Sequence, residues 1–273
     1  MPQPNSDTAA HAPMVDTYGP HSARPFSRFE LRKRVGPSNP TYHLLQDLLV
    51  QDVVSPYDDF TGTLDTLKWT ATKADGGGAA GSNFATRTAT FPGLLRGTTS
   101  ADTDGADVRL IGAIEYVVTN ARPVLLTRVQ PTTITTSKFE VGFVDAVGAG
   151  AVLVKATPTS TSTDYAVIVR DTNHNTSVDL HVDSTTNAVA AVAGAASLPT
   201  WATATFFTLM LALDEQNAAY FWINGGFGGV QRGNGPDDDV TLAPWFYCQN
   251  RSGAAHSFDI DYAKVWQERT VFA

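Results

Sequence analysis

The run Thr205-Phe206-Phe207-Thr208-Leu209-Met210-Leu211-Ala212-Leu213 is apolar at almost every position. A strand with one wet face alternates, so a run of this kind must be covered on both sides. Its period also fits a helix, but the aromatic and β-branched content and the following Asp214-Glu215-Gln216-Asn217 turn favour a central strand of a sandwich. The surrounding sequence agrees. Over 108–118, Val108, Leu110, Ile114, Tyr116 and Val118 form one face and Arg109 and Glu115 the other, which predicts a half-buried strand. Residues 165–170 and 178–182 alternate around Asp171-Thr172-Asn173-His174-Asn175-Thr176 and predict a hairpin. Ala219-Tyr220-Phe221-Trp222-Ile223 leads into a turn at Asn224-Gly225-Gly226. A last strand places Phe258, Ile260, Tyr262 and Trp266 on one side and Asp259 and Asp261 on the other. About a dozen strands without βα alternation predict an all-β, antiparallel two-sheet sandwich.

Composition narrows the function classes. Only five of the 27 acids are glutamates, as suits a chain of strands and turns. The single cysteine, Cys248, cannot form a disulfide within the chain, and no Cys/His set exists for zinc, so Cys248 reads as a buried small hydrophobe. No apolar stretch approaches the roughly 20 residues that span a bilayer, and the start lacks a basic, then apolar, leader. Synthesis and use without Sec export, and no membrane partner, are the expectations.

Charge divides the chain. Residues 1–40 hold five bases against three acids and seven of the 15 prolines, while residues 41–273 hold 14 bases against 24 acids. The sequence thus divides into an extended, proline-rich basic arm over 1–40, a short helix or linker over 41–51 and a sandwich over 52–273. In the middle piece Asn39 caps, Pro40 opens the first turn, and Tyr42, Leu44, Leu45, Leu48 and Leu49 supply an apolar stripe. The arm's basic cluster, Arg28, Arg32, Lys33 and Arg34, with Phe26, Phe29 and Leu31 as apolar anchors, suits an acidic protein surface. Four bases without a second patch are too few for nucleic acid, and none is expected as a partner.

Several motifs in order then carry a resemblance: Asp58-Asp59-Phe60 with Leu67-Lys68-Trp69, Phe139-Glu140-Val141-Gly142-Phe143-Val144-Asp145, Leu211-Ala212-Leu213-Asp214 with Tyr220-Phe221-Trp222-Ile223-Asn224-Gly225, and Ile260-Asp261-Tyr262-Ala263-Lys264-Val265-Trp266-Gln267. Over roughly residues 52–268 the chain resembles the concanavalin A-like lectin/glucanase jelly-roll sandwich, of the kind found in tailed-phage virion and capsid decoration proteins. That resemblance implies a structural protein of the outer capsid surface, whose arm contacts the major capsid protein and sister subunits, and it favours a trimer. The alternative it implies is a carbohydrate-binding module of a tail or fibre, with Trp201, Trp245 and Tyr247 as exposed platforms for a glycan.

Candidate chemistry is sparse. Retaining glycosidases of this superfamily need two carboxyls about 5–5.5 Å apart on one face. Glu140 and Asp145 are five positions apart and fall on opposite faces of a regular strand, and Gly142 and Val144 stand where further carboxylates are needed. No catalytic residue is assigned, and the sequence predicts that the chain is no enzyme. Asp102, Asp104 and Asp107 around Gly105 could gather oxygen ligands for calcium, but no Glu closes a twelve-residue loop. A metal-free Asp/Gly turn is expected, with no cofactor. Asp179, His181 and Asp183 share a face, as do Asp259 and Asp261, and both rows read as solvated polar faces.

Overall fold

In the computed structural model, placement is described from Val53 to Glu268, apart from residues 55–56, 76–79, 88–92, 103–104, 114–115, 118–121, 146–161, 174, 184–189, 194–198, 215–216 and 238. Phe26, Arg28, Phe29, Leu31, Arg32, Lys33 and Arg34 of the arm, the 41–51 segment and Asp104 lie outside the described residues. Among those described there is no helix, and every strand pair is antiparallel.

Two sheets face one another. The nine-stranded sheet runs β15 (Gly226–Gln231), β14 (Ala219–Ile223), β13 (Phe207–Leu213), β8 (Val124–Pro131), β17 (Ser257–Glu268), β5 (Leu94–Thr98), β4 (Asn83–Arg87). Two short strands, β1 (Val53–Val54) and β2 (Tyr57–Asp58), pair with β17. The eight-stranded sheet runs β12 (Ala190–Ala193), β11 (Asn175–Asp183), β10 (Tyr165–Asp171), β9 (Ser137–Val144), β16 (Thr241–Asn250), β6 (Ala106–Gly112), β3 (Trp69–Asp75), with β7 (Tyr116–Val117) on β16. Between them lies one core that includes Leu125, Leu209, Leu211, Phe221, Ile260 and Val265 from the first sheet and Val108, Phe139, Val141, Ile168, Leu180 and Phe246 from the second. The all-β sandwich expected from the strand pattern is therefore observed.

The Asp58…Trp69 motif is a clasp. The Trp69 indole donates to Asp58 at 3.0 Å, the Phe60 amide donates to Asp58 at 2.9 Å, and the Phe60 and Trp69 rings lie 6.0 Å apart in the core. Phe60 adopts φ 51°, a left-handed conformation that this packing must sustain. At the β14–β15 hairpin, Asn224 and Gly225 both have positive φ, as a tight turn between twisted strands demands.

Three details depart from the sequence reading. The 108–118 strand breaks after Gly112, and Tyr116–Val117 forms a separate strand, while Arg109 on its presumed wet face is buried. The row containing Asp179 and His181 is likewise buried rather than solvated. In β17 the register shifts between Ile260 and Tyr262. This bulge returns Ala263 and Val265 to the core and turns Trp266 to the opposite side, so the even positions do not share one face. Asp259, buried, receives two hydrogen bonds from Arg96 at 2.6 Å each, and Asp261 at the bulge pairs with Arg128 at 2.6 Å. The polar side expected of this strand is thus stitched by arginines.

Strands β9 and β10 approach so closely at Gly142 that a Cβ there would meet the Ala166 carbonyl and sit 2.8 Å from the Val167 Cα. Backbone cannot yield as a flexible side chain does. Gly142→Ala is therefore expected to lower unfolding free energy by about 1–3 kcal/mol, the range for an overpacked interior. Gly62→Ala, where nothing lies within 4 Å, serves as control. Equal denaturant midpoints for the two variants would contradict the close approach.

Candidate functional site

Alternation along β9 sends Phe139, Val141 and Phe143 to the core and Lys138, Glu140 and Gly142 to the other face of the eight-stranded sheet. Register then builds rows across the strands. Glu140 pairs with Tyr247 on one side and Val169 on the other, and these pair with Arg109 and Asp179. One row over, Gly142 lies between Trp245 and Val167, with Ile111 and His181 beyond them. On the other flank Lys138 lies between Gln249 and Asp171, with Asp107 beyond Gln249. A second apolar cluster, including Ile111, Tyr165, Val167, Val169, Trp245 and Tyr247, separates the charges.

The charges answer one another. Lys138 and Glu140, both 0% exposed, pair at 2.7 Å, and the Trp245 indole donates to the other Glu140 oxygen at 3.0 Å. Arg251 grips Asp171 with two hydrogen bonds, at 3.1 and 2.6 Å. Arg109 pairs with Asp107 at 2.8 Å, and the Tyr247 hydroxyl donates to the same carboxylate at 3.4 Å. Trp245 and Tyr247 stack at 5.8 Å, and the Lys138 ammonium lies 5.9 Å from the Tyr247 ring centre.

Their proton affinities follow from burial and neighbours. Burial pushes the Lys138 ammonium below its ordinary value, and Glu140 and Asp171 oppose that only in part. Burial raises the Asp107 carboxyl in spite of Arg109, and it raises the Tyr247 phenol further, with Asp107 and Glu140 adding to the effect. Burial also opposes ionisation of Asp171, but Arg251 and Lys138 outweigh it and hold that carboxyl below the usual range. The arrangement places opposite charges side by side in a dry setting.

Trp245 and Tyr247 are thus placed in this buried face. Trp201 lies in the main core, stacked 5.2 Å from Phe207 and 6.2 Å from Phe139. None presents the exposed platform that the glycan alternative anticipates: Trp245 and Tyr247 lie on a strand buried on both faces, and Trp201, between strands, packs into the main core. Of the calcium candidates, Asp107 is engaged by Arg109. Among the described residues no group of three or more His, Cys, Asp or Glu is placed to hold a metal. Cys248 is fully buried, where desolvation raises its thiol pKa. The reading of single strands missed Lys138, Asp171 and Arg251 as site residues. The opposite charges at Lys138 and Glu140, two apart on an otherwise apolar strand, were the available signal. Nothing local announces Arg251, whose partner lies 80 positions away.

No protein-family model and no curated protein sequence matches the chain. Solved structures match by shape. Peanut lectin aligns at 10% identity and TM-score 0.56, covering 79% of this chain and 97% of the lectin. A prokaryotic β-1,3-1,4-glucanase (lichenase) derived from a mouse hindgut metagenome aligns at 14% identity and TM-score 0.50, covering 78% of this chain and 98% of the enzyme. The GlcNAcα1-4Gal-releasing endo-β-galactosidase of Clostridium perfringens aligns at 12% identity and TM-score 0.53, covering 79% of this chain and 63% of that one. The fold is therefore the concanavalin A-like lectin/glucanase jelly-roll sandwich.

These likenesses correct the expectation that the chain is no enzyme, since glycan-cleaving enzymes share its sandwich. The physical fault lay in parity along one strand. Asp145 lies beyond the end of β9, while register places Asp107, Asp171 and Asp179 from neighbouring strands on the same face as Glu140. Carboxylates can be gathered across a sheet as well as along a strand.

Removing one partner of a buried pair leaves the other charge uncompensated, at a cost of about 3–5 kcal/mol. Glu140→Gln is expected to lose that much unfolding free energy. Lys138→Met with Glu140→Leu, which removes both charges, should recover most of it. Denaturant unfolding checks both, and a double variant as unstable as the single one would contradict the pairing.

Proposed function

We propose that the chain is a structural protein of a tailed-phage virion, its sandwich displayed on the outer capsid surface and its N-terminal arm fastened to the major capsid protein and sister subunits. The observation that carries this reading is the pairing of buried charges on the outer face of the eight-stranded sheet. Lys138, Glu140, Trp245, Tyr247, Asp107, Arg109, Asp171 and Arg251 engage one another, which favours a stiff body whose attachment lies elsewhere. The arm supplies that attachment: it carries an excess of bases while the rest of the chain carries an excess of acids. An arm crossing subunit boundaries adds avidity without a strong single interface. Glycan recognition, the competing reading on a lectin-like sandwich, loses the three aromatic rings that the sequence offers for it, because all are buried.

Ordering an extended arm costs roughly 1–2 kcal/mol per residue in backbone entropy, and exposed ion pairs return only about 0–1 kcal/mol each. Apolar anchors, at roughly 1.5–3 kcal/mol per fully buried large side chain, must carry much of the attachment. Phe26→Ala with Phe29→Ala is therefore expected to abolish occupancy of purified capsids lacking the protein at any ionic strength. Arg32→Ala with Lys33→Ala should weaken occupancy modestly, by a margin that shrinks as salt is added. Full detachment of the charge variant with retention of the phenylalanine variant would overturn this account, as would capsid occupancy by a chain lacking residues 1–40.

A further inference from the structure

Arg170 departs from the matched charges around it. On β10 it follows Ile168 at the spacing of one face, so it points to the core side while Val169 and Asp171 face outward. It has no partner on β11, because the register there shifts between Val169 and Asp171, an irregularity of the kind that re-aims a side chain. Arg170 is 6% exposed, and its Nε and Nη1 have no hydrogen-bond partner. The carboxylate that acts on it, Asp171, lies on the other face in the grip of Arg251. A second donor stands beside it. Phe139 is the cross-strand neighbour of Arg170 on β9, and the Phe139 ring stacks on Trp201 at 6.2 Å. Trp201 is 4% exposed, and its indole Nε1 has no partner either. Both side chains lie just under the rim of the sandwich: Asn173 beyond Arg170 is exposed, as are Thr200 and Ala202 on either side of Trp201.

We propose that the Arg170 guanidinium and the Trp201 indole, flanking Phe139, form a binding site for a carboxylate that enters from this rim. A guanidinium and an indole N–H donate hydrogen bonds and cannot accept them, so only an acceptor satisfies both. Water would supply the hydrogen bonds but leave the buried charge unneutralised, and burial weighs against that charge. An anion answers both needs. Asp171 already sets a negative charge nearby, which favours a singly charged carboxylate over a doubly charged phosphate. The setting agrees: the rings of Phe139, Trp201 and Phe207 surround the donors with apolar surface, where a charge-assisted hydrogen bond is strengthened. A small free acid and the acidic side chain of a partner offer the same group. This inference is independent of the virion reading, because the site belongs to the sandwich and not to the arm.

Full-length protein carries the test, read by nuclear magnetic resonance from the Trp201 indole N–H, whose signal Trp201→Phe identifies by its loss. Titration with sodium acetate, at an ionic strength held constant with sodium chloride, should shift that signal saturably. Arg170→Met should weaken the apparent affinity about 10–100-fold, the range for hydrogen bonds to a charged group. N-acetylglutamate α-amide, whose one carboxylate is its side chain, separates the sources: a shift with acetate alone marks a site for small free acids, and a shift with the glutamate derivative marks one open to a partner's side chain. Arg170→Met also removes a charge that has no internal partner, so without acetate its denaturant midpoint should equal or exceed that of the unaltered protein. No saturable shift with either probe, an equal shift in Arg170→Met, or a response to inorganic phosphate alone would overturn the proposal. So would a clearly lower midpoint for Arg170→Met without acetate, the mark of a guanidinium already paired within the chain.

Discussion

Burying Lys138 beside Glu140 is the constraint on which the eight-stranded sheet depends. Neither charge has access to water, and an isolated buried charge is costly enough that each requires partners, the other foremost among them. The Trp245 indole then fixes the second carboxylate oxygen, so the pair also sets the rotamers of the stacked Trp245 and Tyr247 rings. Asp171 with Arg251 and Asp107 with Arg109 repeat the device on the flanking strands. A sheet that buries both faces cannot rely on solvent to satisfy its charges, so Lys138, Asp171 and Asp107 on its outer face are each paired with an opposite charge.

The same need for cover on both faces governs the other sheet. Its inner face fills the core, and the β17 bulge turns Trp266 outward, where it joins Tyr220 and Trp222 in a separate cluster. Such a sandwich is thicker in energetic terms than two sheets with wet backs.

Much of the fold was legible from local pattern. The hairpin around residues 171–176 appears with strands Tyr165–Asp171 and Asn175–Asp183, the Asn224-Gly225 turn is where the dipeptide places it, and the apolar run ending at Leu213 is a strand paired on both sides. The bulge in β17 was not legible, because one extra residue alters facing without altering composition. The candidate site was legible only in fragments. Glu140, Trp245, Tyr247, Asp107, Asp179 and His181 each drew notice, but what unites them is register between strands far apart in sequence, such as Trp245 against Glu140 at a separation of 105. Reading alternation as wet against dry also failed for Arg109 and His181, since a strand covered on both sides keeps its alternation and loses its solvent.

The central claim is that the Lys138–Glu140 pair on the outer face of the eight-stranded sheet is buried away from solvent. Amine-reactive labelling of the native protein, mapped residue by residue with mass spectrometry, addresses it most directly. The side chain of Lys138 is 0% exposed and paired with Glu140, whereas that of Lys73 is 49% exposed. Lys138 is expected to remain unmodified while Lys73 reacts fully, and to react only once the protein is unfolded. Labelling of Lys138 in the native state at the rate of Lys73 would show that face open to solvent and contradict the account.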